Sequence, residues 1–214
     1  MKCITRQKPM EEITQQLGGL DKTYIIGCGT CATMTRTGDR EQVLAMKERL
    51  QGVGKMVTGW TVIPTACDEM TEVALSENSR AIQRANCILV MACGLGVRRV
   101  GLYLDRPVIP ALDTLFIGLE EGPGDFREVC AQCGHCILGE TAGICPITAC
   151  HKHLLNGPCG GTNKGKCEID KNRDCAWTLI YQRLGAQGRL DLMRKYQPIR
   201  NSQVMPRPRF IKIT

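Results

Sequence analysis

The sequence predicts an α/β protein: a small parallel-sheet, Rossmann-like domain, then a cysteine-rich, loop-dominated domain, then a C-terminal helix and an extended arm. Three observations predict this order. Short apolar runs alternate with helical periodicity over residues 23–120, as in a parallel sheet with covering helices. Eight cysteines crowd residues 130–175, and three prolines exclude helix beyond residue 197. The predicted domains are residues 1–122, 123–197 and 198–214.

The first half is predicted to contain four strands and three helices. The strands are apolar or β-branched runs that end in glycine, proline or alanine, and residues 87–92 are the clearest of them. The helix over residues 69–85 is expected to bury Met70, Val73, Ala74, Ile82 and Ala85. The predicted strands are 23–27, 57–64, 87–92 and 107–111, and the helices are 40–50, 69–85 and 97–104.

Four cysteines of this half follow predicted strand ends. Cys28 and Cys31 come after the first strand, Cys67 comes after the second, and Cys93 ends the third. Ligands of an open parallel sheet bind beyond the carboxyl ends of its strands, so these thiols are expected to converge. Four thiolates are the complement of one four-iron cluster or of one zinc ion. A metal site, holding a third [4Fe-4S] cluster or zinc, is therefore predicted here.

Buried cysteine without a metal is the alternative for every thiol in this half, because cysteine also behaves as a small hydrophobic residue. This alternative fits Cys87, which lies inside the third predicted strand, and it fits Cys3. It fits the cysteines of the glycine-containing loops less well.

A partial dinucleotide fingerprint, Gly27-x-Gly29-x-x-Ala32, stands between the first strand and a helical region. The acid expected after the second strand is missing, and the nearest one is Asp68. The same glycines would also let backbone wrap closely around a metal site. A nucleotide-binding enzyme is thus one of the hypotheses.

The eight cysteines of residues 130–175 have the spacing C-x2-C-x2-C-x8-C-x4-C-x8-C-x7-C-x7-C. Eight thiolates are what two four-iron clusters require. Since the segment has few large apolar groups, metal binding would supply the free energy that orders it. The predicted cluster ligands are Cys130, Cys133, Cys136, Cys145, Cys150, Cys159, Cys167 and Cys175.

The cysteine spacing also indicates how the eight thiols divide. Cys130, Cys133 and Cys136 form the compact triplet of bacterial ferredoxins, while Cys145, followed by proline, lies late enough to ligate either cluster. The remaining four have the wide, loop-like spacing of a second site.

Zinc and disulfides are the competing interpretations of the same cysteines. Residues 1–10 lack the apolar core of a secretory signal, and no apolar stretch reaches membrane-spanning length, so disulfides are disfavoured and a cytoplasmic location is expected. Zinc has more support, because His135, His151 and His153 all fall in this segment. A zinc-stabilised scaffold is the alternative to an iron–sulfur protein.

The last quarter is predicted to begin with a helix over residues 174–196 that breaks near Gly185 or Gly188. Trp177 and Tyr181 are expected to pack over a cluster. Residues 186–214 carry seven basic residues and one acid, nearly all of the net charge of +7. With few aromatic residues interleaved, this arm is expected to lie on a partner protein rather than on nucleic acid.

The cysteine strings resemble those of the methylenetetrahydrofolate reductase C-terminal domain family, above all the small iron–sulfur (MetV-type) subunits of acetogenic bacteria. The similarity covers roughly residues 3–197. It implies a non-catalytic subunit that carries two [4Fe-4S] clusters and relays electrons to or from the flavin of a partner methylenetetrahydrofolate reductase catalytic subunit in the Wood–Ljungdahl pathway. Further electron-donor subunits are additional candidate partners. The strings are Cys130-Ala-Gln-Cys133-Gly-His-Cys136, Gly143-Ile-Cys145-Pro146, Gly157-Pro-Cys159-Gly-Gly161, Gly165-Lys-Cys167 and Asp174-Cys175-Ala-Trp177, with Ile25-Ile-Gly-Cys28-Gly-Thr-Cys31 near the start.

Overall fold

The computed structural model describes residues 2–199. The chain divides into two compact units, Met1–Phe126 and Arg127–Thr214. Nearly all of the predicted partner-binding arm, residues 200–214, lies outside the described residues. Among the described residues, no helix combines the length and the apolar character needed to cross a membrane.

The strands in chain order are β1 (Lys2–Gln7), β2 (Lys22–Cys28), β3 (Met56–Ile63), β4 (Cys87–Met91), β5 (Val108–Pro110), β6 (Leu112–Gly122) and β7 (Asp125–Glu128). The helices are α1 (Met10–Leu17), α2 (Cys31–Met34), α3 (Arg40–Gly52), α4 (Thr71–Glu77), α5 (Ser79–Gln83), α6 (Gly94–Tyr103), α7 (Pro146–Ala149) and α8 (Ala176–Ala186). A 3-10 helix covers Leu190–Arg194.

The predicted parallel sheet is confirmed. Its four strands lie in the order β3-β2-β4-β5, all parallel. Every residue of β4 is buried, which explains its unbroken apolar sequence. The chain leaves β2 first towards β3 on one side and later reaches β4 on the other. The order of strands therefore reverses between β2 and β4, and in open α/β sheets ligands bind beyond the carboxyl ends of the strands at such a point.

A second, antiparallel sheet was not anticipated from the sequence. Its strand order is β1-β6-β7, and β1 pairs with β6 in a register that sets Cys3 opposite Ile117. Neither strand alternates cleanly between apolar and polar residues: β6 reads LDTLFIGLEEG, and β1 reads KCITRQ. Since the two strands are distant in sequence, they are not joined by a hairpin turn from which their pairing could be predicted.

The single helix predicted over residues 69–85 is wrong, because two short helices, α4 and α5, occupy it. The break falls at Asn78, whose side-chain amide donates a 2.9 Å hydrogen bond to the Ala74 carbonyl oxygen at the end of α4. Because two helices replace one, the set of buried side chains also differs from the predicted set. Met70 and Val73 are 58% and 47% exposed, and Leu75 is buried instead.

Close packing behind β2 makes Gly27 intolerant of a side chain. A Cβ atom there would lie 2.5 Å from the Gly38 carbonyl oxygen and 2.7 Å from Val43 Cγ2. We expect Gly27→Ala to lower the free energy of unfolding by about 1–3 kcal/mol through overpacking. Denaturant unfolding followed by circular dichroism measures it. Gly52→Ala is the matched control, since nothing lies within 4 Å of its added Cβ atom, and an equal effect there would contradict the packing explanation.

The second unit has a small apolar core on α8, formed by Trp177, Ile180 and Leu184. Trp177 is 6% exposed, and its indole N–H donates to the Leu154 carbonyl oxygen at 3.0 Å. Tyr181 is 55% exposed and does not contribute to this core, and its packing over a cluster stays a prediction. The predicted helix break is confirmed: α8 ends at Ala186, and Gly188 adopts a left-handed φ of 67° before the 3-10 helix begins.

Candidate metal centres

Five cysteine side chains gather in the first unit, at the carboxyl ends of the parallel strands. We call them the N-terminal cysteine cluster: Cys3, Cys28, Cys31, Cys67 and Cys93. Burial raises the pKa of the Cys3 thiol, and the neighbouring Cys93, Cys31 and Cys67 add to the rise. Burial likewise raises the pKa of the Cys67 thiol, with Cys93, Cys28 and Cys31 as its neighbours. The four predicted strand-end thiols therefore converge, and they are joined by one that the sequence left as an ordinary buried residue.

The topology of the sheet explains this convergence. Cys28 is the last residue of β2, and Cys31 opens α2, three residues further on. Cys93 follows β4 and precedes α6, while Cys67 lies in the turn after β3. The connecting loop is held in place because the Gly29 N–H donates to the Ile63 carbonyl oxygen at 2.8 Å. Cys28, Cys31, Cys67 and Cys93 thus follow the carboxyl ends of the strands around the point where the strand order reverses.

Burial within the N-terminal cysteine cluster is graded. Cys3, Cys28 and Cys93 are buried, Cys31 is half-buried and Cys67 is exposed. Burial raises the pKa of Cys3 to about 12, and the hydrogen bond and charge of Cys93 add to the effect. Burial likewise raises the pKa of Cys67. In both thiols, burial and the neighbouring cysteines therefore oppose formation of the thiolate.

Cys87 differs from these five thiols. It is fully buried inside β4, its Sγ lies 3.4 Å from the Thr23 hydroxyl, and burial raises its pKa. These contacts are those of a structural cysteine, in agreement with its predicted role.

The glycines of the partial dinucleotide fingerprint are explained by packing within the chain. A Cβ atom on Gly29 would lie 3.1 Å from the Pro64 carbonyl oxygen, and Gly27 is enclosed by Gly38 and Val43. The helix that follows, α2, contains only four residues. Other parts of the protein therefore occupy the space beside these glycines, so their presence needs no bound nucleotide to explain it.

In the second unit, four thiols line a single cavity. The cavity is small, with a volume of about 20 Å³. We call these thiols the C-terminal quartet: Cys150, Cys159, Cys167 and Cys175. Lys152, Thr162, Glu168 and Trp177 are among the other lining residues. These are the four cysteines whose wide spacing set them apart in the sequence.

Hydrogen-bond donors point at two sulfurs of the C-terminal quartet. The Gly161 N–H donates to Cys159 Sγ at 3.4 Å. Cys175 immediately precedes α8, and burial alone would raise the pKa of its thiol. Hydrogen bonds outweigh burial and lower this pKa; the donors are the Thr178 amide and hydroxyl, the Trp177 amide and the Thr162 hydroxyl. Donors of this kind stabilise negative charge on sulfur.

An ion pair lies at the same cavity. The Lys152 ammonium contacts a carboxylate oxygen of Glu168, and the Cys159 thiol donates to that oxygen at 3.5 Å. A positive and a negative side chain therefore stand beside one sulfur of the C-terminal quartet.

The remaining four predicted ligands lie earlier in the second unit. Cys130 and Cys136 are exposed, and Cys133 and Cys145 are half-buried. The Gln132 N–H donates to Cys130 Sγ at 3.4 Å, and Gln132 has a left-handed φ of 47° that bends the loop around this sulfur. Cys145 caps α7, whose first residue is Pro146.

The histidines that favoured zinc lie outside the quartet's cavity as the structure describes it. His151 Nε2 is 3.9 Å from Asp170 Oδ2, and His153 Nδ1 contacts the Ile147 carbonyl oxygen. Among residues 2–199, no three histidine, cysteine or carboxylate side chains are arranged to hold a metal ion.

Residues 109–203 match the model of a family described as methylene-tetrahydrofolate reductase C terminal. The match supports a relationship to methylenetetrahydrofolate reductases over a little under half of the chain, a stretch that contains all eight cysteines of the second unit. Comparison with curated proteins found no match. Comparison with solved structures found none either.

Proposed function

We propose that this chain is the iron–sulfur electron-transfer subunit, of the MetV type, of a methylenetetrahydrofolate reductase. It relays electrons to or from the flavin of a partner catalytic subunit and does not itself hold the folate. The observation that carries the proposal is the C-terminal quartet, four cysteines on one cavity within the segment that matches the reductase family. The predicted place in Wood–Ljungdahl one-carbon metabolism belongs to the same proposal.

The side chains around the quartet fit a four-iron cluster. Such a cluster supplies reversible storage of one electron at a potential set by its surroundings. Cys150, Cys159, Cys167 and Cys175 would hold it, and the amide and hydroxyl donors to Cys159 and Cys175 would offset the charge on sulfur. Trp177 lines the same cavity and would place its apolar ring beside the cluster.

Metal analysis of the anaerobically purified chain tests this proposal directly. For two clusters we expect about eight irons with matching acid-labile sulfide, and about twelve if the N-terminal cysteine cluster holds a third. A cubane-type EPR signal should appear after reduction with dithionite. Two or three zinc ions with negligible iron would instead identify a zinc-stabilised scaffold, and electron transfer would be ruled out.

The ion pair beside Cys159 is expected to tune the reduction potential of the quartet's cluster. Glu168→Gln removes a negative charge near Cys159, so the potential should rise by tens of millivolts, on the order of 50 mV given the partial exposure of the pair. Lys152→Met removes the neighbouring positive charge and should lower it. EPR-monitored redox titration measures both. Shifts of the same sign in the two variants would contradict an electrostatic origin.

A further inference from the structure

The segment that follows α8, residues 189–199, is tied back to the cysteine-bearing loops of the second unit. We call it the C-terminal strap. The Lys195 ammonium and the side-chain amide of Gln197 both contact the carboxylate of Glu140. Glu140 lies in the loop that follows the cysteine triplet. One carboxylate therefore holds two residues of the strap on this loop.

A second attachment joins the strap to the loop between the first two cysteines of the C-terminal quartet. The Gln197 N–H donates to Asn156 Oδ1 at 2.7 Å, and the Asn156 side-chain amide donates to the Gln197 carbonyl oxygen at 3.0 Å. Nearer to α8, Leu192 and Met193 pack against the apolar core that contains Trp177. The strap is thus fixed by apolar contacts in its middle and by hydrogen bonds near its end.

This fixed backbone presents two large side chains to solvent. Tyr196 is 70% exposed and Ile199 is 91% exposed. Tyr196 stands between Lys195 and Gln197, whose side chains are held by the loop, so its ring points the other way, as alternation along an extended chain requires. A side chain on an ordered backbone loses little conformational entropy on binding. Tyr196 and Ile199 therefore have the character of preorganised binding anchors.

The charge around these anchors indicates the kind of surface that binds them. The strap carries Arg189, Arg194 and Lys195 against Asp191, and residues 200–214 add four basic residues and no acid. A second copy of this chain would bring like charges together, which disfavours self-association through this surface. An acidic surface is complementary to it.

We propose that the C-terminal strap is a docking surface for an acidic partner protein, with Tyr196 and Ile199 as its apolar anchors and Glu140 as the residue that holds it in position. A protein supplies the apolar pocket that an aliphatic anchor such as Ile199 needs, whereas a nucleic-acid backbone presents phosphate and sugar.

The identity of the partner rests on the proposed function, under which it is the flavin-containing catalytic subunit. The strap packs against the core of Trp177, and Trp177 also lines the cavity of the C-terminal quartet. A protein bound to the strap is therefore placed on the side of the second unit that holds the quartet, as electron transfer between the two would need.

Affinity measurements on the full chain test the anchors. The probe is the flavin-containing methylenetetrahydrofolate reductase subunit of the same organism, purified separately and titrated by calorimetry. We expect Tyr196→Ala and Ile199→Ala each to raise Kd at least about tenfold, as truncation of an anchor does. Raising the ionic strength should weaken wild-type binding. Leu119→Ala, at a 56% exposed leucine of the first unit, is the control and should change Kd less than about threefold.

Two results would overturn the anchor assignment. One is a wild-type chain that does not bind the flavin subunit, and the other is an unchanged Kd in both anchor variants. Light scattering and an oligonucleotide titration cover the other occupants. A dimer that Tyr196→Ala dissociates, or binding of the oligonucleotide that Tyr196→Ala abolishes, would replace the acidic protein with a second copy or a nucleic acid and would also overturn the proposal.

Glu140→Ala tests whether the fixed position of the strap matters. The variant loses the contacts to Lys195 and Gln197, so the partner must order the strap on binding, and Kd should rise about three- to tenfold. Hydrogen exchange should show faster exchange of the Gln197 amide in the free variant and its protection again in the complex. Glu77→Ala, at an exposed carboxylate on α4, is the matched control. Faster exchange with an unchanged Kd would contradict the role of Glu140.

The outcome is separable from that of the proposed electron transfer, because Kd does not depend on which metal the chain holds. If the anchors contribute to binding but the chain holds zinc without iron, the docking surface stands and electron transfer fails. If the chain holds iron and passes electrons to the flavin, while the anchor variants bind as the wild type does, the docking surface fails and the proposed function stands.

Discussion

Removal of iron from the full chain is expected to unfold residues 127–199 while leaving the parallel sheet of the first unit folded. The two units differ in what holds them together. The apolar core of the first unit spans all the strands of its parallel sheet. The buried apolar cluster described for the second unit is Trp177, Ile180 and Leu184, with Ile144, Leu154 and other half-buried residues around it.

Magnitudes show why that core is insufficient. Three buried side chains contribute roughly 1.5–3 kcal/mol each, or less than about 10 kcal/mol together. Ordering the backbone costs about 1–2 kcal/mol per residue, and the second unit is mostly loop between β7 and α8. Metal binding to a structural site contributes on the order of 10 kcal/mol or more. Two such sites would supply a large share of the ordering free energy that the core lacks.

Hydrogen exchange followed by mass spectrometry measures this result, with iron-loaded and iron-free chains compared under the same conditions. Amides of α8 should lose protection when iron is removed, and those of β2 and β4 should keep it. Retained protection over α8 in the iron-free protein would show that the unit folds without metal.

The chain provides a second reporter, because Trp60 lies on β3 in the first unit and Trp177 on α8 in the second. Trp60→Phe and Trp177→Phe each leave a single tryptophan, which can be excited selectively at wavelengths that tyrosine does not absorb. On iron removal, the emission of the Trp60→Phe protein should shift to longer wavelength as Trp177 meets water. The emission maximum of the Trp177→Phe protein should hardly move. Equal shifts in both would mean that iron removal unfolds the whole chain.

Alanine substitutions within the C-terminal quartet are expected to remove one and the same cluster. Because Cys150, Cys159, Cys167 and Cys175 line one cavity, each variant should lose about four irons and leave an identical residual EPR spectrum. Electron transfer to the partner flavin should fall at least about 100-fold in every one, as expected when a cofactor that carries the electrons is lost.

Variants of the preceding loop provide the comparison. Cys133→Ala should lose a different cluster, so its residual spectrum should differ from the one shared by the quartet variants. Cys87→Ala is the control for general damage from losing a buried cysteine, and it should keep the wild-type iron content. A quartet member whose variant gives the Cys133→Ala spectrum would show that the cavity does not define one cluster.

The parallel sheet could be predicted because its signal is local. Residues 87–92 form a continuous apolar run, and the structure buries every residue of β4. The antiparallel sheet has no such signal, since β1 and β6 mix apolar and charged residues and their pairing depends on distant contacts. Helix 69–85 failed for a related reason: its periodicity fits either one helix or two, and the side chain of Asn78 decides between them.

The candidate sites show the same difference between features with a local sequence signal and features that depend on distant contacts. Convergence of Cys28, Cys31, Cys67 and Cys93 follows from topology alone, because the carboxyl ends of parallel strands share one edge. Cys3 could not be placed in this way, since nothing near it in the sequence connects it to Cys93. The sequence spacing of the C-terminal quartet predicted that its four cysteines belong to one site, and in the structure all four line one cavity. Metal ligation by either set stays a prediction.

The pairing of β1 with β6 also determines when the first unit can be completed during synthesis. Lys2 is opposite Gly118, so β1 has no partner strand until more than 100 further residues have been made. Contacts of such long separation form late, because loop closure must precede them. Cys28, Cys31, Cys67 and Cys93 can assemble with the parallel sheet before β6 exists, but Cys3 is held in place only afterwards. Assembly of the first unit therefore has a built-in order, in which the strand that carries Cys3 joins a parallel sheet that has already formed.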